Sequence, residues 1–84
     1  KIIICADNDR WKKPDKNPGV KAAMDAAAAC GGYVAVPAFK SSDTKPTDFN
    51  DLHAMETLAA LMPQILAAKL PAEMRLEDYF GGEL

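Results

Sequence analysis

The sequence predicts an α/β protein: one short parallel β-α-β unit followed by C-terminal helices. Three observations carry that expectation. The run Ile2-Ile3-Ile4-Cys5 is continuously apolar and β-branched, with no alternation, as in a strand covered on both faces. Val20, Ala23, Met24, Ala27 and Ala28 then recur with helical period. Gly31-Gly32 stops that pattern, and a second apolar run, Tyr33 to Val36, follows at once. A strand–helix–strand unit of this kind closes as a right-handed parallel crossover.

Each element has its own punctuation. A polar loop, residues 7–16, contains Pro14 as a breaker. Asn17-Pro18-Gly19 reads as an N-cap with proline at the first helical position. Lys21 and Asp25 form an i,i+4 pair on the polar face. Gly31 suits the left-handed residue that ends a helix, and Pro37 ends the second strand. A polar segment, residues 38–47, leads to Thr47 or Asp48 as the start of another helix. Leu52, Met55, Leu58, Ala59, Leu61 and Met62 are its expected buried face, continued by Ile65, Leu66 and Leu70. Pro63 has no N–H and should kink or restart this helix. Pro71 opens a last short helix through Tyr79-Phe80, ended by Gly81-Gly82. There is no internal repeat.

Length and composition set the scale. The chain has 84 residues, 49% apolar and 26% charged, with a net charge of −2. That is one small domain with a modest core. No run approaches the roughly 20 apolar residues that span a bilayer, so no membrane protein is expected. The mild net charge hides a polarised chain. Residues 1–45 hold eight Lys/Arg against five Asp, whereas residues 46–84 hold two against seven Asp/Glu. Lys1 leads directly into the first strand, without methionine, polar lead-in or signal peptide, so a piece of a larger cytoplasmic protein is expected. Cys5 and Cys30 are read as reduced, buried small hydrophobes, and no Cys/His spacing suits zinc. The thin sheet and its apolar first strand also predict a homo-oligomer paired through Ile2 to Cys5.

The chemistry gathers around three segments. Asp7-Asn8-Asp9 follows the first strand directly. Ligands of open α/β sheets bind at the carboxyl ends of strands, and residues two apart on an extended segment point to one side. Two such carboxylates suit Mg²⁺, which takes one or two acids plus water and phosphate oxygens. A solvated acidic turn uses the same residues. Thr47-Asp48-Phe49-Asn50-Asp51 is a second acidic cluster, suited to N-capping or to extending the first. Arg10-Trp11-Lys12-Lys13-Pro14-Asp15-Lys16 combines cations with an aromatic ring, which can track a phosphate backbone and stack on a base, or form a solvated loop. Arg10, Trp11, Lys12, Lys13, Lys16 and Lys45 are the candidate nucleic-acid or phosphate contacts. His53, one turn into its helix, is read as exposed or packed and not catalytic. No Ser/His/Asp set and no Gly-rich phosphate loop can be assembled.

Taken in order, these motifs resemble a known family. A hydrophobic strand ending in D-x-D, an N-P-G that opens an Ala-rich helix, Gly-Gly-Tyr-Val-Ala-Val-Pro and Lys45-Pro46-Thr47-Asp48-Phe49-Asn50-Asp51-Leu52 together resemble the later half of a Toprim domain. The variant is that of DNA primases from conjugative plasmids and phages, including primase–helicases. The likeness covers roughly residues 2–53. It implies a partial Toprim (Rossmann-like) fold over residues 1–53, with residues 54–84 as a helical extension.

The resemblance also implies a nucleotidyl-transfer site that makes RNA primers in DNA replication or conjugative transfer, with Mg²⁺ as cofactor and Mn²⁺ as a possible substitute. Asp7 and Asp9 would be its catalytic and metal-binding acids, and Asp48 and Asp51 further metal ligands. Single-stranded DNA template and nucleoside triphosphates would be partners of the parent protein. The family's glutamate follows an earlier strand, and no Glu precedes Asp7. The expected cut therefore falls between that glutamate and its aspartates, and the fragment alone should be inactive. Two other readings stay open: another metal-dependent phosphoryl-transfer or nuclease Toprim domain, and a non-catalytic nucleic-acid-binding module.

Overall fold

Strand β1 (Ile3–Cys5) pairs in parallel with β2 (Tyr33–Ala35), in the register Ile3↔Tyr33, Ile4↔Val34, Cys5↔Ala35. This is a computed structural model, and it describes residues 1–10, 16–40, 44–75 and 79. The ladder is extended at both ends, by Tyr33 N–H to the Ile2 carbonyl and Ala6 N–H to the Ala35 carbonyl, each at 2.8 Å. Each strand is one residue shorter than the apolar run that predicted it.

Helix α1 (Pro18–Cys30) connects the two strands. Gly31 ends it at φ 69°, where a Cβ would be disfavoured, and the Gly32 N–H reaches back to the Ala27 carbonyl at 2.8 Å. The buried stripe is Val20, Ala23 and Ala27, with Met24 half-buried. Ala28, expected in that stripe, is exposed. A sheet of two strands is too narrow to cover a wider face.

The sheet is sandwiched, as the uninterrupted apolar runs predicted. On one side α1 packs over Ala6, Val34 and Ile4, joined by Met74. On the other, Ala35 and Ile3 meet Phe49, Leu52, Leu61 and Ile65. The outer edge of β2 is closed by an isolated antiparallel bridge. Val34 N–H donates to the Lys69 carbonyl at 2.7 Å, and Lys69 N–H returns to the Val34 carbonyl at 2.9 Å.

The second half departs from the single helix expected from residue 47 or 48. Helix α2 (Phe49–Glu56) ends at Thr57, and α3 (Leu58–Leu66) restarts there. Pro63 sits inside α3 without ending it. The reorientation happens at Thr57, whose φ of 79° and ψ of 169° turn the chain so that Leu61 and Ile65 reach the core. That rotation exposes Met55, Leu58, Met62 and Leu66, which the sequence reading counted as buried. Ala59 is exposed as well. The expected helix from Pro71 starts as a 3-10 turn, Pro71–Glu73, and is interrupted at Met74; Tyr79 is helical, and residues 76–78 lie outside the described residues. Met74 follows in extended conformation and turns into the core, since its burial beside α1 outweighs one more helical turn. Phe80, Gly81 and Gly82 lie outside the described residues.

Both cysteines are free, in keeping with the reduced thiols expected, but they are exposed and not buried. Cys5 lies at the end of a strand with an open outer edge, and Cys30 is the last residue of α1, beyond its buried stripe. Among the described residues, no helix is long and apolar enough to cross a membrane.

Candidate functional site

The loop that leaves β1 carries the first acidic cluster. Ala6 is buried and still paired to β2, whereas Asp7 is exposed at the carboxyl end of the strand. Asn8 anchors the loop three ways. Its N–H donates to the Thr47 carbonyl at 2.6 Å, its Nδ2 donates to the Pro37 carbonyl at 3.0 Å, and its Oδ1 accepts from Asn17 Nδ2 at 2.9 Å. Asp9, half-buried, accepts the Gly19 N–H on Oδ2 at 2.9 Å.

Asn17 occupies the N-cap position of α1, as predicted, but its side chain does not cap the helix. Its backbone is left-handed at φ 37°, a region that asparagine enters more readily than most residues. The amide is thereby directed into the loop. Its Oδ1 accepts from Asp9 N–H at 2.8 Å, and its Nδ2 donates to Asn8 Oδ1 and to the Tyr79 carbonyl at 2.6 Å. Asn17 is fully buried, and these bonds satisfy it. The two residues have thus exchanged roles: Asp9 caps the helix from ten positions away, and Asn17 fixes the loop.

Gly19 explains why the acids lie against α1. A Cβ built there would stand 2.8 Å from both the Asp7 Cβ and Asp9 Oδ2, and would also meet the Asp7 carbonyl oxygen. The Asp7 Cβ and the Asp9 carboxylate therefore both lie against the start of the helix. A shallow groove of about 300 Å³ adjoins them, lined by Ile4, Cys5, Asp7, Gly19, Ala22 and Ala26 among others.

The second acidic cluster forms a capping box at the start of α2. Asp48 Oδ1 accepts the Asp51 N–H at 2.8 Å, and Asp51 Oδ2 accepts the Thr47 N–H at 2.9 Å and the Asp48 N–H at 3.5 Å. The Asn8–Thr47 bond holds this helix start beside the first loop, so the two clusters are neighbours, as expected. A smaller cavity of about 190 Å³ borders Asp51, with Thr44, Pro46, Ala54 and Met55.

The basic candidates divide. Arg10, Lys16 and Lys45 are exposed, Lys45 with a left-handed φ of 55°. Trp11, Lys12 and Lys13 lie outside the described residues. His53 is exposed, and its carbonyl accepts the Thr57 N–H that closes α2. Among the described residues, no three His, Cys, Asp or Glu side chains cluster closely enough to hold a metal ion by themselves. Asn17 is the residue that sequence reasoning missed. Its place in an N-P-G turn signals a cap, and nothing local reports a bond to Tyr79.

No family model, curated protein or solved structure matches the chain.

Proposed function

We propose that this chain supplies the metal-binding carboxylates of a Toprim-type DNA primase, in a site that joins nucleotides into RNA primers. The observation that carries the reading is the placement of Asp7 and Asp9 together at the carboxyl end of β1, where the Asp7 Cβ and Asp9 Oδ2 each lie 2.8 Å from a Cβ built on Gly19. Ligands of parallel α/β sheets bind at such a strand end.

The donor chemistry fits Mg²⁺, with Mn²⁺ as a substitute. Carboxylate oxygens are hard ligands, and Mg²⁺ keeps water and substrate phosphate in its remaining positions, so a three-carboxylate protein cage is not required. Bound there, the ion would neutralise phosphate charge and favour attack by a primer 3′-hydroxyl. Asp7 is exposed, so a triphosphate can approach it. Asp9 is oriented by its bond to Gly19 N–H. Asp48 and Asp51 cap α2 beside the first loop and would be further ligands of the same ion or its waters. Arg10, Lys16 and Lys45, with Trp11, Lys12 and Lys13, would attract single-stranded template and triphosphate.

A second reading is favoured by the capping bonds, which give Asp9, Asp48 and Asp51 structural work. In that reading the acids are purely architectural and the basic segment binds nucleic acid without catalysis. Mn²⁺ titration followed by amide NMR separates the two. The metal reading predicts selective broadening at residues 7–9 that Asp7→Asn abolishes. Uniform or absent broadening, or an Asp7→Asn variant that responds equally, overturns it. The binding-module reading then predicts that DNA affinity survives Asp7→Asn but weakens, with a shallower salt dependence, in Lys12→Ala/Lys13→Ala.

A further inference from the structure

Asn8 stands between the two acids of the first loop, and its bonds run to other segments of the chain. Its N–H donates to the Thr47 carbonyl at 2.6 Å and its Nδ2 to the Pro37 carbonyl at 3.0 Å. Those carbonyls lie at opposite ends of the connection from β2 to α2, so one residue of the β1 loop holds both ends of it. Its Oδ1 accepts from Asn17 Nδ2 at 2.9 Å, which ties the same residue to the start of α1. Chemistry restricts what can stand at this position. A carbonyl only accepts, and Pro37 is fully buried, so the group that faces its oxygen must donate. An aspartate could still accept from Asn17, but it would set a carboxylate oxygen against the Pro37 carbonyl.

We infer that Asn8 is a positioning residue of the metal site, holding Asp48 and Asp51 at a fixed separation from Asp7 and Asp9. This role rests on the metal reading and adds to it the means by which the second cluster reaches the ion. Among the described residues, no three His, Cys, Asp or Glu side chains lie close enough to hold an ion directly. The two clusters therefore meet through water or phosphate on the ion, which suits Mg²⁺ because it keeps several waters. No direct ligand bond fixes such a bridged arrangement. Its geometry depends on the ties between the two loops, and Asn8 supplies two of them. Gln64 offers a comparison. From α3 it accepts the Ala38 N–H at 2.7 Å and donates to the Ala38 carbonyl at 3.0 Å. It steadies the same connection next to Pro37 through bonds that do not involve the acidic loop.

Mn²⁺ titration of the 84-residue chain, followed by amide NMR, tests the role. Wild type should broaden at residues 7–9 and, more weakly, at 48–51. Asn8→Ala should lose the broadening at 48–51 while keeping that at 7–9, and should bind Mn²⁺ about fivefold more weakly, the effect of losing one net hydrogen bond that holds a site. Asn8→Asp, of the same size, should lose the broadening at 48–51 as well, whatever its added charge does at residues 7–9. Gln64→Ala should keep the wild-type pattern. Metal-free spectra report whether each variant folds, and Asn8→Asp alone decides if Asn8→Ala does not. A wild type without selective broadening at residues 7–9 overturns the metal reading and the role of Asn8 with it. Wild-type broadening at 7–9 but not at 48–51 overturns only the role of Asn8. So does an unchanged pattern in the folded Asn8 variants, or an equal loss in Gln64→Ala.

Discussion

Asp9 and Gly19 are joined by a hydrogen bond of 2.9 Å from the Gly19 N–H to the Asp9 carboxylate, so a residue of the β1 loop caps the helix that follows it. The bond satisfies a helix-terminal donor and places negative charge at the positive end of α1. Replacing Asp9 with Ala should cost about 1 kcal/mol of stability, and Asn should cost less. Asp7→Asn, at an exposed site, should fall within about 0.5 kcal/mol of wild type. Urea denaturation reads the difference. Equal losses at the two positions would remove the capping role from Asp9.

Gly19 should resist even alanine. Alanine is the better helix former, which on propensity alone would stabilise α1. Its Cβ would nevertheless meet the Asp7 Cβ and Asp9 Oδ2 at 2.8 Å, together with the Asp7 backbone oxygen. Gly19→Ala is expected to destabilise by about 1–3 kcal/mol, as overpacking does. A variant that melts higher than wild type would show that the loop and helix are not in this close contact.

Asn17 should be among the least replaceable polar residues. Asn17→Ala strips partners from Asp9 N–H, Asn8 Oδ1 and the Tyr79 carbonyl together. Unpaired buried groups cost roughly 1–3 kcal/mol each, so a total loss of about 2 kcal/mol or more is expected. Asn17→Gly restores the left-handed backbone but none of the bonds, and should recover little. Full recovery with Gly would mean that backbone conformation is what fixes Asn17, not its amide.

Thr57 offers the opposite case. Its φ of 79° with ψ of 169° lies in territory that is essentially glycine's, and it is β-branched. Thr57→Gly relieves that conformation and keeps the N–H that closes α2 on His53 at 3.1 Å. Stability should rise by about 1 kcal/mol, after the larger unfolded-state entropy of glycine is offset. Thermal melting checks it, and a lower midpoint would place the break between α2 and α3 elsewhere.

These residues also show which features local sequence can reveal. The β-α-β unit was legible because its signals are local: the β-branched runs, the helical recurrence from Val20, and Gly31 where a left-handed residue is needed. The two acidic clusters were legible as neighbours because strand ends in a parallel sheet share one side. The break at Thr57 was not, since Pro63 is the stronger local signal and the turn depends on where β2 lies. The same rotation decides that Leu61 and Ile65 are covered while Met55, Leu58 and Met62 are not, and helical periodicity cannot see that choice. Lys69 pairing with Val34, and Asn17 with Tyr79, are long-range contacts without a local motif.

The bond from Asn17 to Tyr79 spans 62 positions, and that distance orders events in time. On a growing chain, β1, α1 and β2 can associate as soon as residue 35 is free, because their contacts are close in sequence. Asn17, left-handed and enclosed, must then wait for an acceptor made more than forty residues later. Until it arrives, one of its N–H groups must bond to water, and the Asp7–Asp9 loop is held by fewer ties. The acidic corner, written ahead of α1, is closed only once Tyr79 has been made.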